Sequence, residues 1–506
     1  MKPGPTSGPA TGRSSRARLI LLNVLFASFG YVAIRLVVAP VRIKLLTSLL
    51  SKEDYGSLTL IMLTVSFTAL VASLGSLEFM LRKLPARAAG YQLRVFCTIA
   101  VYFGGLAILI GAVFGGILLV WRPERIGLRP GDIVAAALIL VCTVHLLQLV
   151  FFLMSRSQYA QSRLLMLLYA DAWFLPVLVA MWFVDLSVSF MLWLWVAWLW
   201  LSLVVSQGFV RTRAWLRYAP SRSQLRRVLV FGVPLMPMIL GEWIFQVQDR
   251  YVLLAFTDLV AVANYTLCFN IAWVAVTSGT SLLDLLITEF YKARNRVATD
   301  DFDCLVASAD LRRAFTLLLR SGLALSIPIV LGLWYAGLPV ILLLSDPQFA
   351  DAAYIMRWVA PLPLLYLLAM IAGRTLMAID RGRVVGIGTA VAAGVQLVLL
   401  FILTPWLAER GVALGGCLAY GLLAIYLGYR VRLFRWINWA DLRPWRLTAF
   451  TLLSIAGWQL SARYFEPDSI RWAIVGGSWS LVALFGCGGL RWADLQQLKA
   501  SIQGTG

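Results

Sequence analysis

Histidine, cysteine pairs and charged residues are all scarce in this sequence, and each scarcity excludes a class of function. His145 is the only histidine, so a histidine-based metal site or catalytic triad has no set of ligands to draw on. The six cysteines are dispersed with no CxxC pair, which favours small core residues over a disulfide framework or a zinc site. Only 13% of the residues are charged and 61% are hydrophobic, with a mean hydropathy of +0.83. We therefore expect an integral membrane protein rather than a water-soluble one.

Long apolar stretches recur from one end of the chain to the other. Their length, about 20 residues, is that of a membrane-spanning helix and not of a barrel's alternating strand. We predict an all-α polytopic membrane protein with about fourteen spanning helices. In chain order they run roughly Leu19 to Ala39, Ser57 to Leu77, Val95 to Val120, Ile133 to Met154, Leu164 to Val184, Val188 to Val210, Val228 to Phe256, Val260 to Ile287, Ala314 to Leu344, Ala352 to Ala378, Val384 to Leu407, Val412 to Tyr429, Leu447 to Ser461 and Ile470 to Leu490. Twelve is the alternative, because the last two stretches are the weakest.

Positive charge orients these spans. The formal charge of +20 does not indicate nucleic acid, because the chain offers no soluble surface on which a basic face could lie. If the N-terminus is cytoplasmic, the inner loops and tails carry about three times as many Lys and Arg residues as the outer loops. Both termini are therefore predicted to be cytoplasmic.

A weak internal sequence repeat predicts two lobes. Val228 to Tyr265 and Arg18 to Tyr55 each contain a span with a deep Arg, a short acidic outer loop and a Tyr that opens the next span. Such a repeat is typical of transporters built from two six-helix lobes in parallel repeat. The predicted division is a disordered cytoplasmic tail (1–18), a first lobe with spans one to six (19–210), a basic linker (211–227), a second lobe with spans seven to twelve (228–435), spans thirteen and fourteen (436–490) and a cytoplasmic tail (491–506).

Span seven has a polar face inside an otherwise apolar helix. Glu242, Gln246, Asp249 and Arg250 are separated by intervals that bring them to one side of the helix. Ionisable groups at membrane depth are costly and usually face a bundle interior or a watery cavity. Span seven is therefore a candidate wall of a polar pathway. The alternative for Asp249 and Arg250 is a structural or interfacial ion pair.

Arginines inside the predicted spans outnumber the certain anions there. This excess indicates an anionic guest, and Arg suits phosphate because its guanidinium donates two parallel hydrogen bonds. Arg357 and Arg374 have the alternative of extending to the two membrane surfaces. The predicted substrate-binding set is Arg35, Arg250, Arg320, Arg357 and Arg374.

Several segments carry a family resemblance. They are LLSKEDYGSLTLIMLTVSF, SLGSLEFMLRKLP, FGVPLMP, DRYVLLAF through VANYTLCFNIA, AGRTLMAIDRGR and ERGVALGGCLAY. Between about Arg18 and Arg435 the chain resembles polysaccharide flippases of the multidrug/oligosaccharidyl-lipid/polysaccharide (MOP) exporter superfamily.

The resemblance implies two lobes in pseudo-twofold repeat around a central cationic cavity, with two extra C-terminal helices. It implies a bacterial inner-membrane flippase that moves undecaprenyl-pyrophosphate-linked oligosaccharide from the inner to the outer leaflet, for exopolysaccharide or O-antigen (lipopolysaccharide) synthesis. A polysaccharide polymerase and its chain-length machinery are compatible partners, and no cofactor is implied. Coupling to H⁺ or Na⁺ is a further hypothesis, with Glu242, Asp249 and Asp284 as the candidate carboxylates.

Three alternatives remain open. A lipid II flippase of the same superfamily ranks second, because span two offers only Glu78 where such proteins carry early cavity arginines. A multidrug exporter would favour an anionic cavity, which is opposite to the charge here. A membrane glycosyltransferase or polymerase would need a sizeable outer loop, and each predicted outer loop is about a dozen residues or shorter.

Overall fold

A computed structural model gives the structure of the chain. Every regular element in the part that it describes is a helix. The described residues are 30, 33–34, 37–85, 87–120, 129–156, 158–184, 186–210, 218–295, 297, 302–379, 381–466 and 469–486.

The first half of the chain forms eight helices, α1 to α8, within the described residues. A π-helical turn (Leu167–Asp171) and a 3-10 turn (Ala172–Phe174) join α6 to α7. The helices are α1 (37–49), α2 (Lys52–Ala72), α3 (Ser76–Lys83), α4 (Ala89–Val120), α5 (Pro130–Ser155), α6 (Tyr159–Met166), α7 (Leu175–Ala180) and α8 (Val188–Val210).

The second half begins with a bent helix and ends with a helical pair. The helices are α9 (Arg222–Gly232), α10 (Met236–Phe256), α11 (Leu259–Asn295), α12 (Phe302–Ala307), α13 (Ala309–Tyr335), α14 (Gly337–Leu344), α15 (Ala353–Val359), α16 (Leu362–Ala378), α17 (Gly382–Arg430), α18 (Leu433–Trp436), α19 (Trp439–Leu442), α20 (Pro444–Ser461) and α21 (Ile470–Gly486).

Local sequence explains several of the helix boundaries. The Ser51 hydroxyl caps α2 by accepting a hydrogen bond from the Asp54 amide at 3.1 Å. Pro234 lies in the 3-10 turn between α9 and α10, and the two parts of this helix are bent by 50°. In α17, Ala408 has φ of 47°, three residues after Pro405, and this break separates two spans.

Eight helices in the described residues are long and apolar enough to cross a membrane, or nine if the bent pair α9–α10 counts as one span. Predicted spans two to fourteen all overlap helices, and the two halves of α17 supply spans eleven and twelve. Spans five, seven, nine and ten each contain two helices, and span fourteen extends past the last described residue. The first predicted span and the linker residues 211–217 lie largely outside the described residues. The predicted all-α, two-lobe membrane fold is confirmed, and the division of the chain at the stated residues stays a prediction.

Each lobe is organised around one long helix. In the first lobe α5 packs against α2, α4 and α8, and Leu146, Val144 and Phe152 are fully buried on it. In the second lobe α17 runs along both α10 and α16, while α11 packs against α13 and α16. One continuous apolar core includes residues of both lobes, because α2 of the first lobe also contacts α10 and α11 of the second.

A buried tryptophan attaches the C-terminal helical pair to the second lobe. Trp436 of α18 is fully buried, and its indole nitrogen donates to the Val431 carbonyl at 2.9 Å. The rings of Phe290, Phe302 and Phe315 surround it with centroid distances of 5.9 to 6.0 Å. From this anchor the chain continues into α20 and α21, which pack against each other and against α13.

Candidate functional site

The polar face of α10 forms a buried ion pair. Arg250 Nη1 donates to Asp249 Oδ1 at 2.6 Å and to the Gln246 carbonyl at 2.5 Å. The Tyr265 hydroxyl of α11 donates to Asp249 Oδ2 at 2.6 Å. Asp249 and Arg250 are 1% and 0% exposed, so each compensates the charge of the other inside the second lobe.

Aromatic rings complete the surroundings of Arg250. Its guanidinium lies 4.0 Å from the Phe269 ring centroid and 5.2 Å from that of Tyr265. Both rings belong to α11 and offer their negative faces to the cation. The Nε–H of Arg250 has no hydrogen-bond partner among the described residues. The guanidinium therefore retains a buried N–H group that could donate a hydrogen bond to an anion.

Arg320 contacts the connection to the C-terminal pair. It is 5% exposed on α13, and its Nη1 donates to the Asp441 carbonyl of α19 at 3.1 Å. Nearby, Arg312 Nη2 donates to the Ile437 carbonyl at 3.1 Å, and the Asn438 amide donates to Thr316 Oγ1 at 2.9 Å. These bonds hold residues 437–441 against α13 of the second lobe. A substrate role for Arg320 stays a prediction.

Arg357 and Arg374 lie on α15 and α16, the two parts of span ten. Both side chains are exposed. Their separation of 17 positions corresponds to roughly 25 Å along helical structure, so they stand near opposite ends of the span. Their predicted substrate roles stay predictions.

Three of the predicted site residues cannot be placed in this way. Arg35 lies outside the described residues. Glu242 and Asp284 belong to α10 and α11, but their side chains are outside the described part of the chain. Their predicted roles in binding or ion coupling stay predictions.

One seam between the lobes follows α2 along α10. We call the side of Lys52 the outer side and the side of Gly75 the inner side, as the charge distribution of the sequence predicts. In the middle of the seam the Thr64 hydroxyl contacts the Tyr251 hydroxyl. Toward the inner side Phe67 stacks on Trp243 with centroids 3.6 Å apart. The lobes are thus in direct contact within the membrane.

At the outer end of this seam, the loop between α1 and α2 meets the turn that follows α14. The Gln348 side-chain amide donates to the carbonyls of Thr47 and Leu50 at 2.7 and 3.1 Å. Lys52 Nζ lies 2.7 Å from both carboxylate oxygens of Asp351. We call this set of contacts the outer seal. The ion pair is exposed and so contributes about 1 kcal/mol or less, which leaves the outer seal easy to open.

Two glycines form the closest approach at the inner end. Gly75 adopts φ of +72°, and a Cβ built on Gly232 would lie 2.1 Å from the Leu74 carbonyl oxygen. The rings of Phe79 and Phe231 meet edge to face at 5.7 Å beside them. We call this set the inner seal. The α2 seam is therefore closed at both of its ends.

The inner seal depends on α9, which packs against α3 and α4 of the first lobe. Gln224 of α9 accepts a hydrogen bond from the Tyr91 hydroxyl at 3.1 Å. The next helix, α10, instead packs chiefly along α17 of the second lobe. The bent helix α9–α10 is therefore shared between the lobes, with its bend at the crossing point.

A second buried carboxylate lies in the first lobe. Asp171 ends the π-helical turn of span five and is 1% exposed. Arg42 of α1 donates to the Ala170 carbonyl at 3.1 Å and lies 3.8 Å from Asp171 Oδ1. The Trp198 indole of α8 donates to the Leu168 carbonyl at 2.7 Å within the same turn. π-Helical turns often accompany functional positions.

Sequence reasoning missed the two seals. Lys52 begins α2, and Gln348 and Asp351 lie in a 3-10 turn (Pro347–Ala352). Their pairing joins positions about 300 residues apart, which no local pattern reveals. Gly75 and Gly232 do lie in segments that carry the family resemblance. A glycine in each of two such segments was the available signal, but it does not reveal which glycines touch.

Comparison with known proteins gives no match by sequence: no family model and no curated protein matches the chain. Solved structures do match. A structure described as the lipid II flippase MurJ in an inward closed conformation has a TM-score of 0.72 at 12% identity, covering 93% of this chain and 99% of that one. An inward-facing multidrug resistance MATE transporter of the MOP superfamily has a TM-score of 0.60 at 15% identity, covering 83% and 98%. A MOP superfamily transporter from Pyrococcus furiosus, described as having a binding pocket of reversed polarity, has a TM-score of 0.55 at 14% identity, covering 83% and 95%.

The chain thus has the two-lobe fold of the MOP superfamily transporters. The likeness to the lipid II flippase extends over more of the chain than the likeness to the MATE transporter, 93% against 83%.

Proposed function

We propose that the protein is a flippase that moves a lipid-linked anionic oligosaccharide from the inner to the outer leaflet of a bacterial inner membrane by alternating access. The observation that carries the proposal is the likeness of nearly the whole chain to a lipid II flippase, combined with separate seals at the two ends of the lobe seam. Opening one seal while the other stays closed exposes the interior to one leaflet at a time.

The bent helix accommodates this motion. Because α9 packs on the first lobe and α10 on the second, the angle of the bend at residues 236–238 changes whenever the lobes rotate. The outer seal is polar and partly exposed, so water can replace its hydrogen bonds as it opens. The inner seal relies on close packing, which separates without leaving a buried charge.

Arg250 and Asp249 provide a candidate link between an ion gradient and cargo binding. In the closed seam the carboxylate of Asp249 compensates Arg250. An anionic cargo would compete with this carboxylate for the guanidinium. Asp249, Glu242 and Asp284 stay the proposed carboxylates for coupling to H⁺ or Na⁺, and Arg35, Arg320, Arg357 and Arg374 stay the other proposed substrate contacts.

Lipid II is the second candidate cargo. The structural likeness supports this second candidate, because a protein that the chain resembles in fold is described as a lipid II flippase. Lipid II also carries a pyrophosphate on a polyprenyl chain, so both cargoes have the same anionic group. An exporter of cationic drugs or a glycosyltransferase has less support from the arginines and the fold.

A sided cargo assay tests the proposal. Inside-out and right-side-out vesicles are prepared from cells that lack the protein and from the same cells carrying wild type, Arg35→Ala or Arg35→Lys. The fraction of lipid-linked oligosaccharide accessible to a membrane-impermeant lectin is then measured, and the assay is repeated with lipid II.

We expect the cargo to accumulate on the cytoplasmic leaflet without the protein and with Arg35→Ala, and to cross in part with Arg35→Lys because the charge is kept. Cargo that crosses normally in cells lacking the protein but stays unpolymerised would reject the flippase and favour the enzyme. Defective crossing of lipid II alone would assign that cargo instead.

A further inference from the structure

A cationic cleft of about 400 Å³ opens at the outer end of the second lobe, apart from the lobe seam. Its lining contains two arginines and no carboxylate. The lining includes Ala350, Ala353, Tyr354, Arg357, Trp358 and Arg410. Such a lining attracts an anion.

The arginines are presented together with aromatic rings. The Arg410 guanidinium lies 4.9 Å from the Tyr354 ring centroid, which orients it beside the cleft. Arg357 follows Tyr354 by three positions on α15 and therefore shares its face. Glu409, which does not line the cleft, forms a hydrogen bond with the Tyr354 hydroxyl and offsets part of the positive charge. Arg357 and Arg410 line one opening from two separate helices, α15 and α17.

The cleft lies at the depth of the predicted outer membrane surface. Tyr354 and Trp358 are 38% and 41% exposed, and Trp406 near the break in α17 is 85% exposed. Tyrosine and tryptophan side chains concentrate at the level of lipid headgroups because one end is apolar and the other polar. An anion that enters the cleft at this depth can remain attached to a lipid tail in the bilayer.

The same segment of chain serves the cleft and the outer seal. Ala350 and Ala353 line the cleft, while Gln348 and Asp351 bond to the first lobe. A ligand that pulls α15 toward Arg410 therefore acts on residues within a few positions of the seal. The cleft therefore adjoins the outer seal.

We propose that this cleft is a binding site for a phosphoryl group at the outer membrane surface. The guanidinium groups of Arg357 and Arg410 both donate hydrogen bonds to the phosphoryl oxygens. The ligand class is a phosphate or diphosphate ester, either lipid-linked or free. The site shares Arg357 with the proposed transport function but does not require transport, and its test measures binding only.

Native mass spectrometry of the purified full chain tests the site with three probes. Inorganic pyrophosphate represents the free anion, farnesyl diphosphate the lipid-linked anion, and farnesol the lipid without phosphate. The test variant is Arg357→Gln/Arg410→Gln. The matched control is Arg463→Gln/Arg471→Gln, which removes two exposed charges on the same predicted side but outside the cleft.

We expect the test variant to bind farnesyl diphosphate about tenfold or more weakly than wild type, because two charge-assisted contacts are lost. The control variant should bind it as wild type does, and farnesol binding should be equal in all three proteins. An equal loss of pyrophosphate affinity means that the site also binds the free anion. A loss of farnesyl diphosphate affinity alone means that the ligand is lipid-linked.

Three results would overturn the proposal: no loss in the test variant, an equal loss in the control variant, or a parallel loss of farnesol binding. A third variant, Ala353→Phe, keeps both arginines and fills the cleft. It should weaken diphosphate binding as well, and unchanged binding there would also reject the site. If diphosphate binding changes as expected but the wild-type protein does not transport the lipid-linked cargo, the proposed function is rejected and this site remains.

Discussion

Asp249 and Arg250 show how one residue pair can serve the fold and remain available for function. The pair is buried and its charges compensate each other, so the second lobe holds an ionised group without exposing it to lipid. Removing one partner leaves the other charge buried and alone, and this is far more costly than removing both.

We predict that Arg250→Ala lowers the free energy of unfolding by about 3–5 kcal/mol, because Asp249 loses its buried partner. The double change Asp249→Leu/Arg250→Met should cost much less, since it removes both charges and keeps apolar volume. Unfolding in a titration of denaturing detergent, followed by far-UV circular dichroism, checks both. Equal losses for the single and the double variant would contradict a role for charge compensation.

Gly232 has no room for a side chain in the closed seam. Its Cβ would lie 2.1 Å from the backbone oxygen of Leu74, so Gly232→Ala should force the inner seal apart. Overpacking of this kind costs about 1–3 kcal/mol. We expect faster labelling of a Ser73→Cys probe by a membrane-impermeant thiol reagent, because Ser73 is 1% exposed beside this seal.

Gly386→Ala is the matched control for that experiment. Gly386 is also helical, and a Cβ there would meet nothing within 4 Å. It should leave the labelling rate unchanged relative to Ser73→Cys alone. Unchanged labelling with Gly232→Ala would mean that the two glycines do not hold the inner seal.

The sequence predicts the chemistry of single residues better than their partners. Spacing correctly indicates that Gln246 and Arg250 share a face of α10, because helical periodicity is local. The partners Tyr265 and Phe269 come from the next helix, and which face of α11 meets α10 depends on packing. Arg320 donates to the Asp441 carbonyl, a partner 121 positions away that sequence spacing does not reveal.

At the scale of elements, the outer seal joins the start of α2 to the turn before α15. If alternating access requires this seal to open, a covalent link across it must stop transport. Lys52→Cys/Asp351→Cys places two thiols where the ion pair now stands.

We predict that a short, reducible bifunctional thiol reagent abolishes lipid-linked cargo transport by Lys52→Cys/Asp351→Cys in vesicles, and that reduction restores it. Lys52→Cys alone and Asp351→Cys alone, treated in the same way, control for modification of the native cysteines. Transport that continues at full rate through the cross-linked double variant would show that the outer seal does not need to open.

Hydropathy predicts where helices lie and misses how they deviate. The run of apolar residues in span five indicates one helix, whereas the structure interrupts it with a π-helical and a 3-10 turn. Pro176 is a visible signal of irregularity, but the Trp198 bond to Leu168 that supports the π-helical turn comes from another helix. Tertiary partners decide such deviations, so a single helix's pattern cannot reveal them.

At the scale of the whole molecule, the charge distribution predicts that both termini lie in the cytoplasm. A green fluorescent protein fused to the C-terminus should therefore fluoresce, since it folds in the cytoplasm and not after export. Alkaline phosphatase fused after Arg410, in the predicted outer connection of α17, should be active. The reverse pattern of reporter activity would show that the protein has the opposite orientation in the membrane. The seal called inner would then lie on the outer side, and the seal called outer on the inner side.

The packing of α9 on the first lobe has a consequence for how the chain can be divided. Two separate polypeptides, 1–210 and 211–506, should still assemble, because the second carries a helix that docks on α3 and α4 of the first. Co-purification through a tag on one half measures this, and a second half that begins at Met236 should assemble poorly. The continuity of the chain between the lobes is then dispensable: what fixes one half on the other is a docking helix that recognises its partner without a covalent bond.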